Sequence, residues 1–281
     1  MEGKFDSKAY LEKLQAEISA RATQTKGKFY IKINGKLLKD DYASRTLNGY
    51  ESDIRKKLIS HFRLEAEILV CINAQEIINN SPMTKKQLGC CEYTELTLKK
   101  IETSTGIKPQ LVITNINMTE MYDMIFTFES KFQKKGYKVR EQYIKKGYPE
   151  LINTRFLLSE NGFGDDDHIP ITKKIVFITG LGEHSGKLTT ALGQIYRDHE
   201  IGLESSFSIL ETFPIKDLPV ENEINQARAE KKQKNLAQEP DGKTIDETLE
   251  KNYELLKKIL KTVVNKDNLI SGFKNPSDMC L

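Results

Sequence analysis

Three short runs of this chain are almost continuously apolar: Glu67-Ile68-Leu69-Val70-Cys71-Ile72-Asn73, Leu111-Val112-Ile113-Thr114-Asn115 and Ile175-Val176-Phe177-Ile178-Thr179. A strand that faces water on one side alternates. A continuous run must bury both faces, as in a parallel sheet lying between two helical layers. Amphipathic segments separate the runs. Asp6 and Ser7 can cap a helix with Tyr10, Leu11, Leu14 and Ile18 on one face. Ile54, Leu58, Ile59 and Phe62 mark a second helix, residues 84–104 a third, and residues 119–135 a fourth that ends at Gly136. Tyr137-Lys138-Val139-Arg140 reads as a strand. Phe29-Tyr30-Ile31-Lys32-Ile33 alternates, and the Asn34-Gly35 that follows predicts a hairpin turn. Strand–helix alternation of this kind predicts an α/β fold, a mostly parallel central sheet with helices on both faces. In such sheets ligands lie beyond the carboxyl ends of the strands. Asn73, Asn115 and residues 180–187 belong to that edge.

The third run leads into Thr179-Gly180-Leu181-Gly182-Glu183-His184-Ser185-Gly186-Lys187-Leu188-Thr189-Thr190, followed by a helical pattern through Leu192, Ile195 and Tyr196. Strand, glycine turn and helix N-terminus together make a site for anions, because free N–H groups and one lysine converge there. Candidate phosphate-binding residues are Gly182, Ser185, Gly186, Lys187, Thr189 and Thr190. The match to a P-loop is partial. That motif has glycine five residues before its Gly-Lys glycine, where this chain has Leu181, and a hydroxyl residue after the lysine, where it has Leu188. Glu183 adds a negative charge. Two readings stay open: a phosphate, nucleotide or other anion site, and an ordinary tight turn with an exposed lysine.

The chain has 281 residues, with 43 basic and 40 acidic side chains and a net charge of +3. That near balance gives no reason to expect nucleic acid as a partner. No apolar run approaches membrane-spanning length, and Met1-Glu2-Gly3-Lys4 lacks the apolar core of a signal peptide. Cys71, Cys90, Cys91 and Cys280 offer no metal-binding spacing, so no metal site is expected; Cys71 reads as a packed thiol. A cytoplasmic, reduced protein is the expectation.

Asp40, Asp41 and Arg45 form a second candidate cluster. Arg45 could fork onto phosphate or carboxylate and Asp41 could act as base or metal ligand; a loop-stabilising Asp–Arg pair is the favoured reading. Asp165-Asp166-Asp167-His168 reads as a solvated acidic turn. His199 stands too far along its helix to reach the glycine turn, and no Ser-His-Asp order or zinc motif is legible. After a charged stretch at 223–238 and a break at Pro240-Asp241-Gly242, residues 244–264 predict an amphipathic helix burying Leu249, Tyr253, Leu256 and Leu260, with Lys257, Lys258 and Lys261 in water. Residues 1–220 are therefore expected as the α/β domain and 221–281 as a helical extension.

The order of several segments carries a resemblance: Phe5-Asp6-Ser7-Lys8-Ala9-Tyr10-Leu11, Asp40-Asp41-Tyr42-Ala43-Ser44-Arg45, Gly147-Tyr148-Pro149, Ser159-Glu160-Asn161-Gly162-Phe163-Gly164, the Gly182 and Ser185-Gly186-Lys187 pair, Glu211-Thr212-Phe213-Pro214-Ile215, Leu218-Pro219, and a tail around Phe273 and Pro276-Ser277-Asp278-Met279. The chain resembles domain-of-unknown-function family 1846 (DUF1846), also known as uncharacterised protein family 0371 (UPF0371). The resemblance implies an α/β fold with a P-loop-like N-terminal part and a further C-terminal domain, and implies no established activity. Some members carry an ATP-dependent peptidase label, for which this chain shows no nucleophile or zinc motif. It departs from the family pattern in lacking a histidine between Tyr42 and Ala43, in having Glu183-His184 in the glycine turn, and in a shortened segment at Glu239-Pro240-Asp241-Gly242. It reads as a short or truncated, divergent member matching the N-terminal part. The expected function is binding of a phosphate-bearing small molecule or nucleotide at residues 180–190. Catalysis is left open; phosphotransfer or nucleotide hydrolysis would be its class. The alternative is a catalytically silent scaffold or a homo-oligomer subunit whose family site has decayed.

Overall fold

The computed structural model describes residues 5–40, 43–80, 88–145, 153–182, 184–211, 253, 257, 268–274 and 276–281. Its elements run α1 (Ser7–Gln24), β1 (Phe29–Ile33), α2 (Ala43–Thr46), α3 (Ile54–His61), β2 (Ala66–Asn73), α4 (Ala74–Asn79), α5 (Cys90–Thr105), β3 (Gln110–Ile116), α6 (Met118–Lys134), β4 (Val139–Tyr143), α7 (Thr154–Leu157), β5 (Ile175–Gly180), α8 (Lys187–Glu200) and β6 (Ser206–Leu210), with 3-10 turns at Phe163–Asp165, Leu269–Gly272 and Pro276–Met279. Among the described residues no helix is long and apolar enough to cross a membrane.

The six strands form one sheet in the order β4-β3-β2-β5-β1-β6, and every pairing is parallel. The three continuous apolar runs are the adjacent strands β3, β2 and β5, as their composition requires. Ile68, Val70, Ile72, Leu111, Ile113, Ile175 and Phe177 bury one face under α1, α3, α5 and α6. Leu69, Cys71, Val112, Val176, Ile178 and Phe207 bury the other with Leu192 and Ile195 of α8. Burying such side chains contributes roughly 1.5–3 kcal/mol each, so the double-sided sheet dominates stability.

The alternation at 29–33 misleads. Asn34-Gly35 does not turn the chain back; β1 lies in the sheet interior, parallel to β5 and β6, with Phe29, Tyr30, Ile31 and Ile33 buried. Its polar residue, Lys32, is what gives the sequence its alternating look. The short helix α4 and the strand β6 are further elements beyond the expectation. β6 is only Ser206-Phe207-Ser208-Ile209-Leu210, and tertiary pairing with β1 makes it a strand.

The connections obey one rule. The links β1 to β2, β2 to β3 and β3 to β4 move toward the β4 edge and cross the α3/α5/α6 face. Residues 153–174, leading to β5, and α8, leading to β6, move the other way across the opposite face. A single crossover handedness demands this division. It makes the neighbours β2 and β5 the point where the winding reverses: helices leave β2 toward one face and β5 toward the other.

The predicted helix at 244–264 lies outside the described residues except Tyr253 and Lys257. Tyr253 is buried and its hydroxyl donates to Phe273 O at 2.9 Å, with Lys257 Nζ 4.6 Å from the ring centre. Ile270, Phe273 and Met279 join the cluster holding Tyr30 and Phe207. Cys280 bridges Ile209 in parallel, and Leu281 N donates to Ile209 O at 2.9 Å. Arg21 of α1 pins this segment. It is 7% exposed; Nη1 donates to Ser208 Oγ (2.8 Å) and Asp278 O (3.2 Å), Nη2 to Cys280 O (3.1 Å), and Nε pairs with Glu17 (2.8 Å). Arg21→Ala removes the donor of all four bonds from a buried setting. A loss of about 2–4 kcal/mol is expected, read by denaturant melting, together with new protease cleavage within residues 268–281. Unchanged melting and cleavage would show that apolar contacts alone hold the segment.

Candidate functional site

The turn between β5 and α8 stands at the winding reversal. β5 ends at Gly180, and Leu181 N still donates to Cys71 O of β2 (3.0 Å), so the strand pairing persists into the turn. The chain then folds back over the strand end: a methyl group on Gly180 would sit 1.8 Å from Ser185 Oγ and 3.1 Å from Lys187 Nζ. Glycine is therefore required at 180, and the Lys187 ammonium lies over the end of β5. Ser185 is buried, its Oγ 3.3 Å from Lys187 Nζ. Gly182 and Lys187 are half-buried, and Glu183 lies outside the described residues.

Gly186 opens α8 in the left-handed region, φ +74°, and a Cβ there would fall within 2.7 Å of Thr114 Cβ and Oγ1. Thr114 explains why the turn is fixed to the sheet. Its hydroxyl lies 3.1 Å from both Ile72 O and Ser185 O, so β3, β2 and the turn share one group. From the β2 side, Asn73 Nδ2 donates to His184 O (3.3 Å) while its Oδ1 caps α4 through Gln75 N (3.0 Å). No side chain caps α8. Its first N–H groups have no carbonyl one turn earlier to bond.

The two threonines do different things. Thr189 Oγ1 donates to Gly186 O at 2.7 Å, and Thr190 is fully buried, bonded to Gln142 Oε1 at 2.6 Å and in contact with Cys71 Sγ at 3.4 Å. Thr190 is thus part of the core. Burial pushes the Cys71 thiol up to about 11, in keeping with a packed, unreactive sulfur.

A second polar cluster borders the turn. Lys145 and Asp166, both buried, form an ion pair of 2.5 Å, and Tyr143 N donates to Asp166 Oδ1 at 2.8 Å. This corrects the expectation of a solvated acidic turn: Asp165 and His168 are exposed, but Asp166 points inward because Lys145 and a strand-end N–H meet it there. Burial shifts its carboxyl upward, and the ammonium opposes that shift. Beside the pair lies a cavity of about 30 Å³, lined by Thr114, Gln142, Lys145, Asp166 and Thr189 among others, enough for one water. Among the described residues no group of three or more acidic, histidine or cysteine side chains could hold a metal.

The cluster at 40–45 has another use. Asp40 pairs with Arg55 at 2.8 Å, both nearly buried, and Arg55 Nη1 donates to Asn34 O (2.6 Å) and Lys36 O (2.9 Å). Asp40 Oδ1 also caps α2 through Ala43 N at 3.0 Å. The Asp–Arg pair that fastens this loop is made by Arg55; Arg45 is exposed on α2, and Asp41 lies outside the described residues.

One residue of the site escaped the sequence reading. Lys32 of β1 stands on the face covered by α8, and its ε-amine is held down to about 8, first by burial and then by the neighbouring Lys187 charge. The legible signal was a lone cation inside an otherwise apolar strand.

Fold and site together define a doubly wound, all-parallel α/β protein with a glycine turn and a lysine at its switch point. A family model described as "Domain of unknown function DUF1846, N-terminal" matches residues 3–281, and the chain belongs to that family. It is 33% identical over 226 residues to a UPF0371 protein of Corynebacterium glutamicum strain R, covering 79% of this chain and 44% of that protein. It is 30% identical over 286 residues to a UPF0371 protein of Clostridioides difficile strain 630, covering 98% of this chain and 55% of that one. The chain thus spans about half the length of these relatives.

Gly186→Ala is expected to lower stability by about 2–4 kcal/mol, combining left-handed backbone strain with overlap on Thr114. Because the overlap is shared, Gly186→Ala with Thr114→Ala should cost less than the sum of the single changes. A strictly additive double-mutant cycle in chemical denaturation would contradict the contact.

Proposed function

We propose that residues 180–190 bind the phosphate group of a small molecule or nucleotide. The observation that carries this reading is the Lys187 ammonium laid over Gly180, beside the uncapped start of α8, at the switch point of the sheet. Crevices at such points are where open α/β sheets take ligands, and a helix start with a lysine matches an anion in charge and donors. In this reading the turn is P-loop-like, with Ser185, Gly186 and Lys187 at the phosphate and Gly182 letting the backbone approach. Thr189 stands at the rim. In this reading residues 1–220 would supply the binding domain and 221–281 a C-terminal extension. The free cysteines fit a reducing cytoplasm.

The rival reading is a silent scaffold. Leu188, standing where a P-loop has its magnesium-binding hydroxyl, favours it.

Phosphate, pyrophosphate or ATP at millimolar concentration should raise the melting temperature, since a ligand at 100 times its Kd adds about 2.7 kcal/mol. The shift should shrink with added salt and vanish in Lys187→Ala, which should fold normally. Melting of the native chain that no phosphate compound moves would defeat the binding reading and leave the scaffold.

A further inference from the structure

The cavity of about 30 Å³ beside the Lys145–Asp166 pair has a buried floor and an open rim. Thr114, Gln142, Lys145 and Asp166 make the floor. Asn115 and Thr189, both half-buried, and the exposed Ile144 stand at the rim. A bulge in β3 shapes it. Ile113 pairs with Glu141 but Ile116 with Tyr143, so β3 carries one residue more than β4 across this stretch. Ile113 and Ile116 both belong to the core cluster under α5 and α6, although strict alternation sends residues three apart to opposite faces. Asn115 takes up the extra step in the left-handed region, φ +57°. Thr114 and Asn115, neighbours in sequence, therefore both line the cavity. Bulges re-aim side chains in this way.

Gln142 points to a ligand. It is 3% exposed and lines the cavity. One end of its amide, Oε1, accepts from Thr190 at 2.6 Å; among the described residues no acceptor meets Nε2 at the other end. A buried amide donor is unfavourable until something in the cavity accepts from it. Size and charge select that group. The space admits one heavy atom with its hydrogen, the size of a water. Lys145 and Asp166 neutralise each other, and Gln142 and Asn115 are neutral, so these groups offer an ion no net charge. They offer a donor in Gln142 Nε2. They also offer an acceptor, since a carboxylate has lone pairs beyond the two bonds that Asp166 Oδ1 takes from Lys145 Nζ and Tyr143 N. A neutral group of one heavy atom that both accepts and donates is a hydroxyl. Ile144 at the rim suits the carbon that bears it.

The cavity and the glycine turn are neighbours. Thr114 Oγ1 lies 3.1 Å from Ser185 O, and Thr189 Oγ1 donates to Gly186 O at 2.7 Å, so two of the cavity's residues hold the turn itself. Resting on the proposed phosphate site, we propose that this cavity takes a hydroxyl of the same ligand, with Gln142 Nε2 donating to the hydroxyl oxygen and Asp166 accepting from the hydroxyl. The ligand is then a phosphate ester of an alcohol that carries further hydroxyls, a sugar or polyol phosphate. Lys145 acts as a positioning residue: it holds the Asp166 carboxylate in place and cancels its charge.

The test is calorimetric titration of the full chain with glycerol phosphate and with propyl phosphate, which keeps the carbon chain and lacks the hydroxyls. Glycerol phosphate should bind about tenfold more tightly or better, because a site built to hydrogen-bond a hydroxyl rejects the analogue without it. Gln142→Met keeps the length of the side chain and removes the donor. Asn115→Gly keeps the left-handed backbone at no steric cost and clears the rim. Each should lower the ratio of the two affinities about threefold or more. Stability alone does not move that ratio, since both esters report on the same folded chain. A native ratio near one, or a native ratio kept by every variant that folds, would overturn the hydroxyl subsite. If that happens while propyl phosphate binds and Lys187→Ala abolishes its binding, the phosphate site stands and only the subsite falls. If neither ester binds the native chain, both fall.

Discussion

Everything in this molecule is arranged around β5, a six-residue strand buried on both faces between β2 and β1. A parallel strand in that position cannot be reached or left by a hairpin. Each neighbour needs a crossover, and because the connections leaving β2 and β5 run in opposite directions along the sheet, the fixed handedness of crossovers sends them to opposite faces. The open crevice at its carboxyl end is a consequence of that geometry. The glycine turn fills the crevice because Gly180 leaves room for Ser185 and Lys187 to fold back. The Thr114 hydroxyl then ties the turn to two more strands.

The polar groups near this edge divide into those that fasten and those that face the crevice. Arg55 with Asp40, Arg21 with the carbonyls of 278 and 280, Lys145 with Asp166, and Thr190 with Gln142 are pairs in which at least one partner is buried. Their removal would leave unpaired charge or hydrogen-bonding groups inside the protein, so they explain rigidity. Lys32 is a local conflict: burial and the neighbouring Lys187 charge both act against its ammonium. Such conflicts concentrate where function is.

The relatives share the matched part at about one residue in three and continue for about as long again. The sheet, its switch point and the turn lie within the matched residues.

The sequence by itself determined the double-sided strands, since runs such as Ile68 to Ile72 have no polar face to give to water. It also determined the amphipathic helices α1, α3, α5 and α6, and the glycine turn with its lysine, because helix caps and glycine spacing are local chemistry. It could not determine strand order, and so could not tell that β1 lies inside the sheet. Asn34-Gly35 is compatible with a hairpin, and only pairing with β5 and β6 decides against one. The pairing of Asp40 with Arg55, the inward turn of Asp166 and the strand character of residues 206–210 were likewise settled by contacts distant in sequence. The same holds for Lys32 and Lys187. They stand 155 positions apart by their numbers, and no local pattern links them. The parallel order β5-β1-β6 and the return of α8 over that face bring the two charges to one crevice.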